Sequence, residues 1–189
     1  MLNDKNLLGA IVYYDGQMND SRMCLHLALT AIQAGADCVS RVKAESMIFD
    51  KTTNNVCGVN VIDEVTGEKI AINAKAVVNA TGPFSDKVRK MADPDVSDII
   101  LPAAGVHVVL PDHFSPSKMG LIIPETEDGR VLFFLPWEGA TVAGTTDSVS
   151  GITMEPTPTD EEVGFIIEEA NKYVSGATEA SISNCLPKR

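Results

Sequence analysis

The stretch Ala76-Val77-Val78-Asn79-Ala80-Thr81-Gly82-Pro83 constrains this chain most. A short apolar run breaks into small residues and then Gly-Pro, the pattern of a buried strand that ends at a loop. In an open α/β sheet, ligands gather at the carboxyl ends of parallel strands, and Ala80, Thr81 and Gly82 let backbone N–H groups come close to one. Pro83 suits the first position of a helix running from about Phe84 to Met91, whose unpaired N–H groups point the same way. The same residues also satisfy an ordinary strand-to-helix turn, and on the motif alone both readings stand.

The chain before this corner reads in the same terms. Residues 9–14 (Gly-Ala-Ile-Val-Tyr-Tyr) form an expected strand closed by Asp15-Gly16. A helix follows, with Asn19 or Asp20 as its cap, Met23, Leu27, Ala31 and Ala34 along one stripe, and Gly35 as its stop. His26 falls off that stripe and reads as a surface or boundary residue rather than a ligand. Between Asp37 and Ala80, Thr52-Thr53-Asn54-Asn55 and Val65-Thr66-Gly67-Glu68 carry hairpin-turn chemistry. Residues 46–50, 56–63 and 69–73 are therefore expected to form an antiparallel meander. Helix, meander and returning strand match, at the level of fold analogy, the later half of a two-dinucleotide-type flavoprotein domain.

Asp93-Pro94-Asp95 is a breaker and an expected domain crossing. Beyond it, residues 105–110, 119–123, 131–135 and 141–144 are β-type runs between Pro, Gly and charged turns, which implies a mostly antiparallel second sheet. Thr159-Asp160-Glu161-Glu162 is a capping box for a helix reaching about Tyr173, with Phe165, Ile166, Glu169 and Ala170 near one face. The fold class expected is mixed α/β, with residues 1–92 as one domain, 93–174 as a second, and 175–189 as a tail without periodicity.

Charge excludes some partners. Fifteen basic and twenty-six acidic residues leave a net charge of −11 with no basic stripe, which argues against nucleic acid and anionic membrane surfaces. Cys24, Cys38, Cys57 and Cys185 make no CxxC pair and no cysteine-histidine spacing suited to a metal, so no metal site is expected and the thiols read as free and buried. No targeting segment is visible, and no apolar run approaches the roughly 20 residues of a spanning helix.

His107 is the foremost candidate for chemistry. Strict alternation puts Val106, Val108 and Leu110 on one face of its strand and His107 and Val109 on the other, where a sheet holds the imidazole rigidly. Such a group accepts an alcohol proton as hydride leaves the same carbon; the alternative is a hydrogen-bonded structural histidine. Gly144-Thr145-Thr146-Asp147 ends a strand in hydroxyls and a carboxylate, suited either to a polar ligand or to a side-chain-to-backbone turn. Trp137 reads as a packing residue, and Arg130 as a solvated turn residue or an anion contact. The chain contains no GxGxxG, no GxxxxGK[ST] and no arginine cluster.

Five ordered blocks together resemble the FAD-dependent glycerol-3-phosphate dehydrogenases of the mitochondrial type. They are GAIVYYDGQMNDSRMCLHLALTAI (9–32), VVNATGPFSDKVRKM (77–91), GVHVVLPDHFSP (105–116), RVLFFLPWEGATVAGTTD (130–147) and PTPTDEEVGFI (156–166). The resemblance implies an FAD-binding domain with a β-meander followed by an antiparallel substrate-domain sheet. It implies oxidation of sn-glycerol 3-phosphate to dihydroxyacetone phosphate, with electrons passed to ubiquinone. It carries flavin contacts to Ala80, Thr81 and Gly82, the adenosine end to the region of Lys43 and Ala44, and the active-site histidine to His107, with Thr145, Thr146 and Asp147 beside the substrate. A mitochondrial location follows from the family, at the inner membrane and only peripherally in the complete enzyme.

The family's glycine-rich loop and an arginine for substrate are not found in the sequence, and residues 175–189 leave the family pattern. The expectation is an internal fragment, inactive by itself. The alternatives are an amine or amino-acid oxidase of the same superfamily, which shares the flavin corner without GVHVVLPDHFSP and GTTD, and a non-catalytic remnant.

Overall fold

The computed structural model of the chain describes residues 8–115, 119–124, 126, 129–173 and 186–187. Two turns led by aspartates set its first sheet. The Asp50 carboxylate accepts hydrogen bonds from the N–H groups of Thr52 (2.9 Å) and Thr53 (2.7 Å) and from the Thr53 hydroxyl (3.0 Å). Asp63 repeats the device with the Val65 N–H at 2.8 Å and the Thr66 N–H at 3.3 Å. Bonds to the charged form favour it, so both carboxyls titrate below their ordinary range: Asp50 chiefly through the Thr53 N–H, Asp63 chiefly through the Val65 N–H. The turns join β1 (Val42–Phe49), β2 (Val56–Asp63) and β3 (Lys69–Asn73) into an antiparallel sheet in that order, the expected meander. A β-carbon at Gly58, in the middle strand, would run into the Ile72 carbonyl oxygen, so the close approach of β2 and β3 requires glycine there.

Helix α1 (Asp20–Gln33) begins and ends where its signals lie. Asn19 is the cap, accepting the Arg22 N–H at 3.1 Å, and Gly35 follows the helix at φ +94°. Its stripe is another matter, because none of its residues is buried. Helical spacing marks a face that can be covered, and covering needs a second element against it. Cys24 and Cys38 are accordingly exposed and Cys57 half-buried, which corrects the expectation of buried thiols.

Two expected strands are absent from the sheets. Residues 9–14 and 76–79 carry no strand pairing, and Ile11, Val12, Tyr14 and Val78 are exposed. A strand is a hydrogen-bonded pairing, and among the described residues no strand lies beside either run. The corner after Ala80 still turns into helix: a 3-10 turn over Gly82–Phe84, with Pro83 at its start, leads into α2 (Ser85–Ala92).

Asp86 on α2 decides where the first unit ends. Its carboxylate is buried and accepts the N–H groups of Ile99 and Ile100, each at 2.9 Å, and the Arg89 guanidinium at 2.6 Å. These ties hold residues 99–100 to α2. The described residues fall into two compact units, a first holding 10–100 and a second holding 8–9 with 101 onward.

In the second unit a short pair, β4 (Ala103–Ala104) with β9 (Ser148–Val149), accompanies an antiparallel sheet. That sheet has the order β10-β5-β8-β7-β6, from β5 (His107–Pro111), β6 (Leu121–Ile123), β7 (Leu132–Trp137), β8 (Ala140–Gly144) and β10 (Leu186–Pro187). One face is sealed: Val108, Leu110, Ile123, Leu132, Phe134 and Ala143 meet Ile166, Ile167 and Ala170 of α3 (Asp160–Tyr173). Each large apolar side chain buried this way contributes about 1.5–3 kcal/mol. Helix α3 starts from the expected capping box, with Thr159 N–H to Glu162 Oε2 at 3.0 Å and Glu162 N–H to Thr159 Oγ1 at 3.2 Å. Apart from Leu186 and Pro187, the tail and its Cys185 lie outside the described residues.

The Ile100 N–H, then Arg89, hold the Asp86 carboxyl below its ordinary range against the opposing effect of burial. A lowered folded-state value means that this stabilisation is present above the unfolded value, near pH 4, and is lost as pH falls through the lower folded one. Asp86→Ala is therefore expected to lower the thermal unfolding midpoint by several degrees at pH 7, with the gap to wild type closing below about pH 4. Melting curves followed by circular dichroism across that range check both the size and the sign.

Candidate active site

The site is built on the face of the second sheet that points away from α3. Alternation along β5 places Val106, Val108 and Leu110 in the core, leaving His107 exposed and Val109 half-buried on the other face, as their order in the sequence requires. His107 pairs with Gly144 of β8, and Gly144 pairs on its far side with Phe133 of β7. The imidazole and the Phe133 ring meet edge to face, their centroids 5.3 Å apart and their planes at 68°. A titratable ring on a flat, rigid, largely apolar surface can receive or return a proton at a fixed place.

The end of β8 turns inward more than its composition implies. Thr146 is 1% exposed, and its hydroxyl accepts the Val106 N–H at 2.9 Å and lies 3.5 Å from Glu162 Oε1. Glu162 is itself held by the Thr159 hydroxyl at 2.9 Å, so the cap of α3 and the start of β5 share one polar network. The Thr146 side chain is thus tied into the framework that joins the start of β5 to the cap of α3. Thr145 is half-buried, with its hydroxyl donating to the Thr146 carbonyl at 2.9 Å, and Asp147 is exposed. Gly105 completes the packing: a β-carbon there would lie 2.5 Å from Thr145 Oγ1 and 2.6 Å from Thr146 O.

Ala80, Thr81 and Gly82 belong to the first unit, where all three are exposed. Asn79 shapes this corner, donating to the Ser85 carbonyl at 2.9 Å and accepting the Thr81 hydroxyl at 2.8 Å. Gly82 has φ +55°, with open space where a β-carbon would stand. The N–H groups of Ala80 and Gly82 have no partner among the described residues. A small, open corner with spare donors fits a polar cofactor edge. Lys43, exposed, and Ala44, half-buried, lie at the start of β1 in the same unit.

Arg130 is half-buried in the turn, where Thr126 engages its backbone N–H and carbonyl, and its guanidinium lies 4.3 Å above the Phe165 ring. Trp137 is half-buried on the sheet face that points away from α3. The contacts that Phe133, Gly105 and Glu162 make around His107 and Thr146 go beyond the strand and cap roles their sequence positions imply. The available signals were glycines at the edges of strand patterns, which mark close approach, and a capping-box glutamate with a second free oxygen.

Residues 2–186 match the family described as FAD dependent oxidoreductase. A Caenorhabditis elegans protein named probable glycerol-3-phosphate dehydrogenase, mitochondrial, is 51% identical over 176 residues, covering 93% of this chain and 24% of its own length. The Bos taurus glycerol-3-phosphate dehydrogenase, mitochondrial, is 49% identical over 179 residues, covering 93% of this chain and 25% of its own. The crystal structure of glycerol-3-phosphate dehydrogenase from Bacillus halodurans complexed with FAD superposes with a TM-score of 0.82 at 32% identity, over 91% of this chain and 34% of that one. The chain spans about a quarter of the length of the curated relatives it matches.

The Thr146 network yields a direct test. Thr146→Val keeps the shape but strands the buried Val106 N–H, at a cost of about 1–3 kcal/mol, whereas Thr146→Ser keeps the acceptor and most of the stability. Urea unfolding of the two variants separates them.

The chain belongs to the FAD-dependent oxidoreductase family, in the branch whose curated members carry the name glycerol-3-phosphate dehydrogenase.

Proposed function

We propose that this sequence serves the oxidation of sn-glycerol 3-phosphate to dihydroxyacetone phosphate, with His107 as the group that handles the C2 hydroxyl proton. The observation that carries the reading is the likeness, near half identity over more than nine-tenths of the chain, to relatives bearing that name. The geometry supports it with an exposed imidazole fixed on the sheet face that points away from α3. Bound FAD supplies a two-electron acceptor for the hydride on the substrate carbon.

The remaining roles belong to the chain itself. Ala80 and Gly82 offer backbone N–H donors to the cofactor, Thr81 keeps the corner in shape through Asn79, and Lys43 and Ala44 border the adenosine end. His107 takes the hydroxyl proton as the C2–H bond breaks, then releases it to solvent. Thr145 and Asp147 border the polar substrate, while Thr146 acts from inside the framework by fixing the start of β5.

Electrons pass on to ubiquinone in this reading, at the inner mitochondrial membrane with peripheral attachment. Among the described residues no helix is long and apolar enough to cross a membrane. The 189-residue chain alone is inactive in this reading, since its sequence holds no glycine-rich pyrophosphate loop.

In an active dehydrogenase containing this sequence, His107→Ala is expected to lower kcat about a hundredfold or more with flavin content unchanged. Glycerol-3-phosphate-dependent dye reduction and the flavin absorbance measure both, and an unaltered kcat removes His107 from the mechanism. Glycine or sarcosine oxidation in place of glycerol 3-phosphate oxidation would transfer the assignment to the amine-oxidase alternative.

A further inference from the structure

We propose that Gly144 and Phe133 are positioning residues that jointly set the orientation of the His107 imidazole. The inference rests on the reading of His107 as the proton-handling group, and its geometry stands independently of the substrate. β5 and β7 are not neighbours, because β8 lies between them. Side chains two strands apart start roughly 10 Å from each other. Yet the His107 and Phe133 ring centroids are only 5.3 Å apart, so both side chains lean inward over the same residue of β8.

That residue is Gly144, paired with His107 on one side and Phe133 on the other. A β-carbon there would run into Cδ2 of His107, and would stand 3.3 Å from its Nε2 and 3.0 Å from the Val106 carbonyl oxygen. The Cδ2–Nε2 edge of the imidazole therefore occupies the space that any other residue at 144 would fill. Phe133 limits the ring from the far side, and its edge-to-face geometry selects one plane for the imidazole. Glycine makes the seat and phenylalanine makes the wall.

A proton acceptor gains most when its nitrogen is held at the reacting atom, and small misplacements cost large factors in rate. Gly144→Ala should push the imidazole out of its seat, and Phe133→Leu should remove the wall while leaving a half-buried apolar side chain that folds normally. Phe133→Tyr restores the ring and serves as the rescue.

The test combines crystal structures with steady-state kinetics of the three variants in an active dehydrogenase containing this sequence. In Gly144→Ala and Phe133→Leu the imidazole is expected in a changed or divided rotamer, with kcat down about tenfold or more, flavin content unchanged, and KM for glycerol 3-phosphate within about twofold. Phe133→Tyr is expected to return both rotamer and kcat. An imidazole unmoved in Phe133→Leu overturns the proposal, as does a moved imidazole with unchanged kcat; Phe133→Leu decides the matter even where Gly144→Ala fails to fold. An enzyme without activity on glycerol 3-phosphate refutes the assigned reaction instead, and the rotamers then still decide the geometric claim.

Discussion

A sheet that is sealed by a helix on one face and less fully buried on the other has a stable core and a supported working surface at once, and the second unit depends on this division. Ile166, Ile167 and Ala170 of α3 close one side over Val108, Leu110, Leu132, Phe134 and Ala143. Because side chains alternate, the same strands must present His107, Val109, Phe133 and Leu135 on the other side. The rigidity of the less buried face is inherited from the burial of the sealed one.

Polar ties then fix the parts that alternation leaves free. Glu162 completes the cap of α3 with one carboxylate oxygen and reaches toward Thr146 with the other, and Thr146 holds the Val106 N–H one residue before His107. In the first unit Asp86 plays the comparable part by gathering two consecutive N–H groups onto α2. Asp50 and Asp63 do it for the hairpins. In each case a carboxylate or hydroxyl takes up backbone donors that the sheets and helices cannot satisfy themselves.

Much of this was legible in the order of residues. The hairpin turns, the Asn19 cap, the Thr159–Glu162 capping box and the facing of His107 depend on neighbours within a few positions, and each was found at its expected place. The expected strands over residues 9–14 and 76–79, the buried stripe of α1 and the buried thiols depend on something lying against them, and among the described residues no strand lies beside the two runs and no residue of α1 is buried. The seat of Arg130 over Phe165 likewise joins residues thirty-five positions apart, beyond the reach of a local reading.

By itself, then, the sequence determined the turns, the caps, the alternation of the strands and the family, because these are carried by local stereochemistry and by blocks of residues in order. Tertiary structure alone decided that Thr146 is framework while Thr145 and Asp147 stay accessible in differing degree, and that Gly144 is the seat on which His107 meets Phe133. Those facts arise from strand order, which places β8 between β5 and β7 and brings residues 107, 133 and 144 into one row across the sheet. Register across strands is a long-range choice, settled by which faces are buried and not by any short stretch of chain.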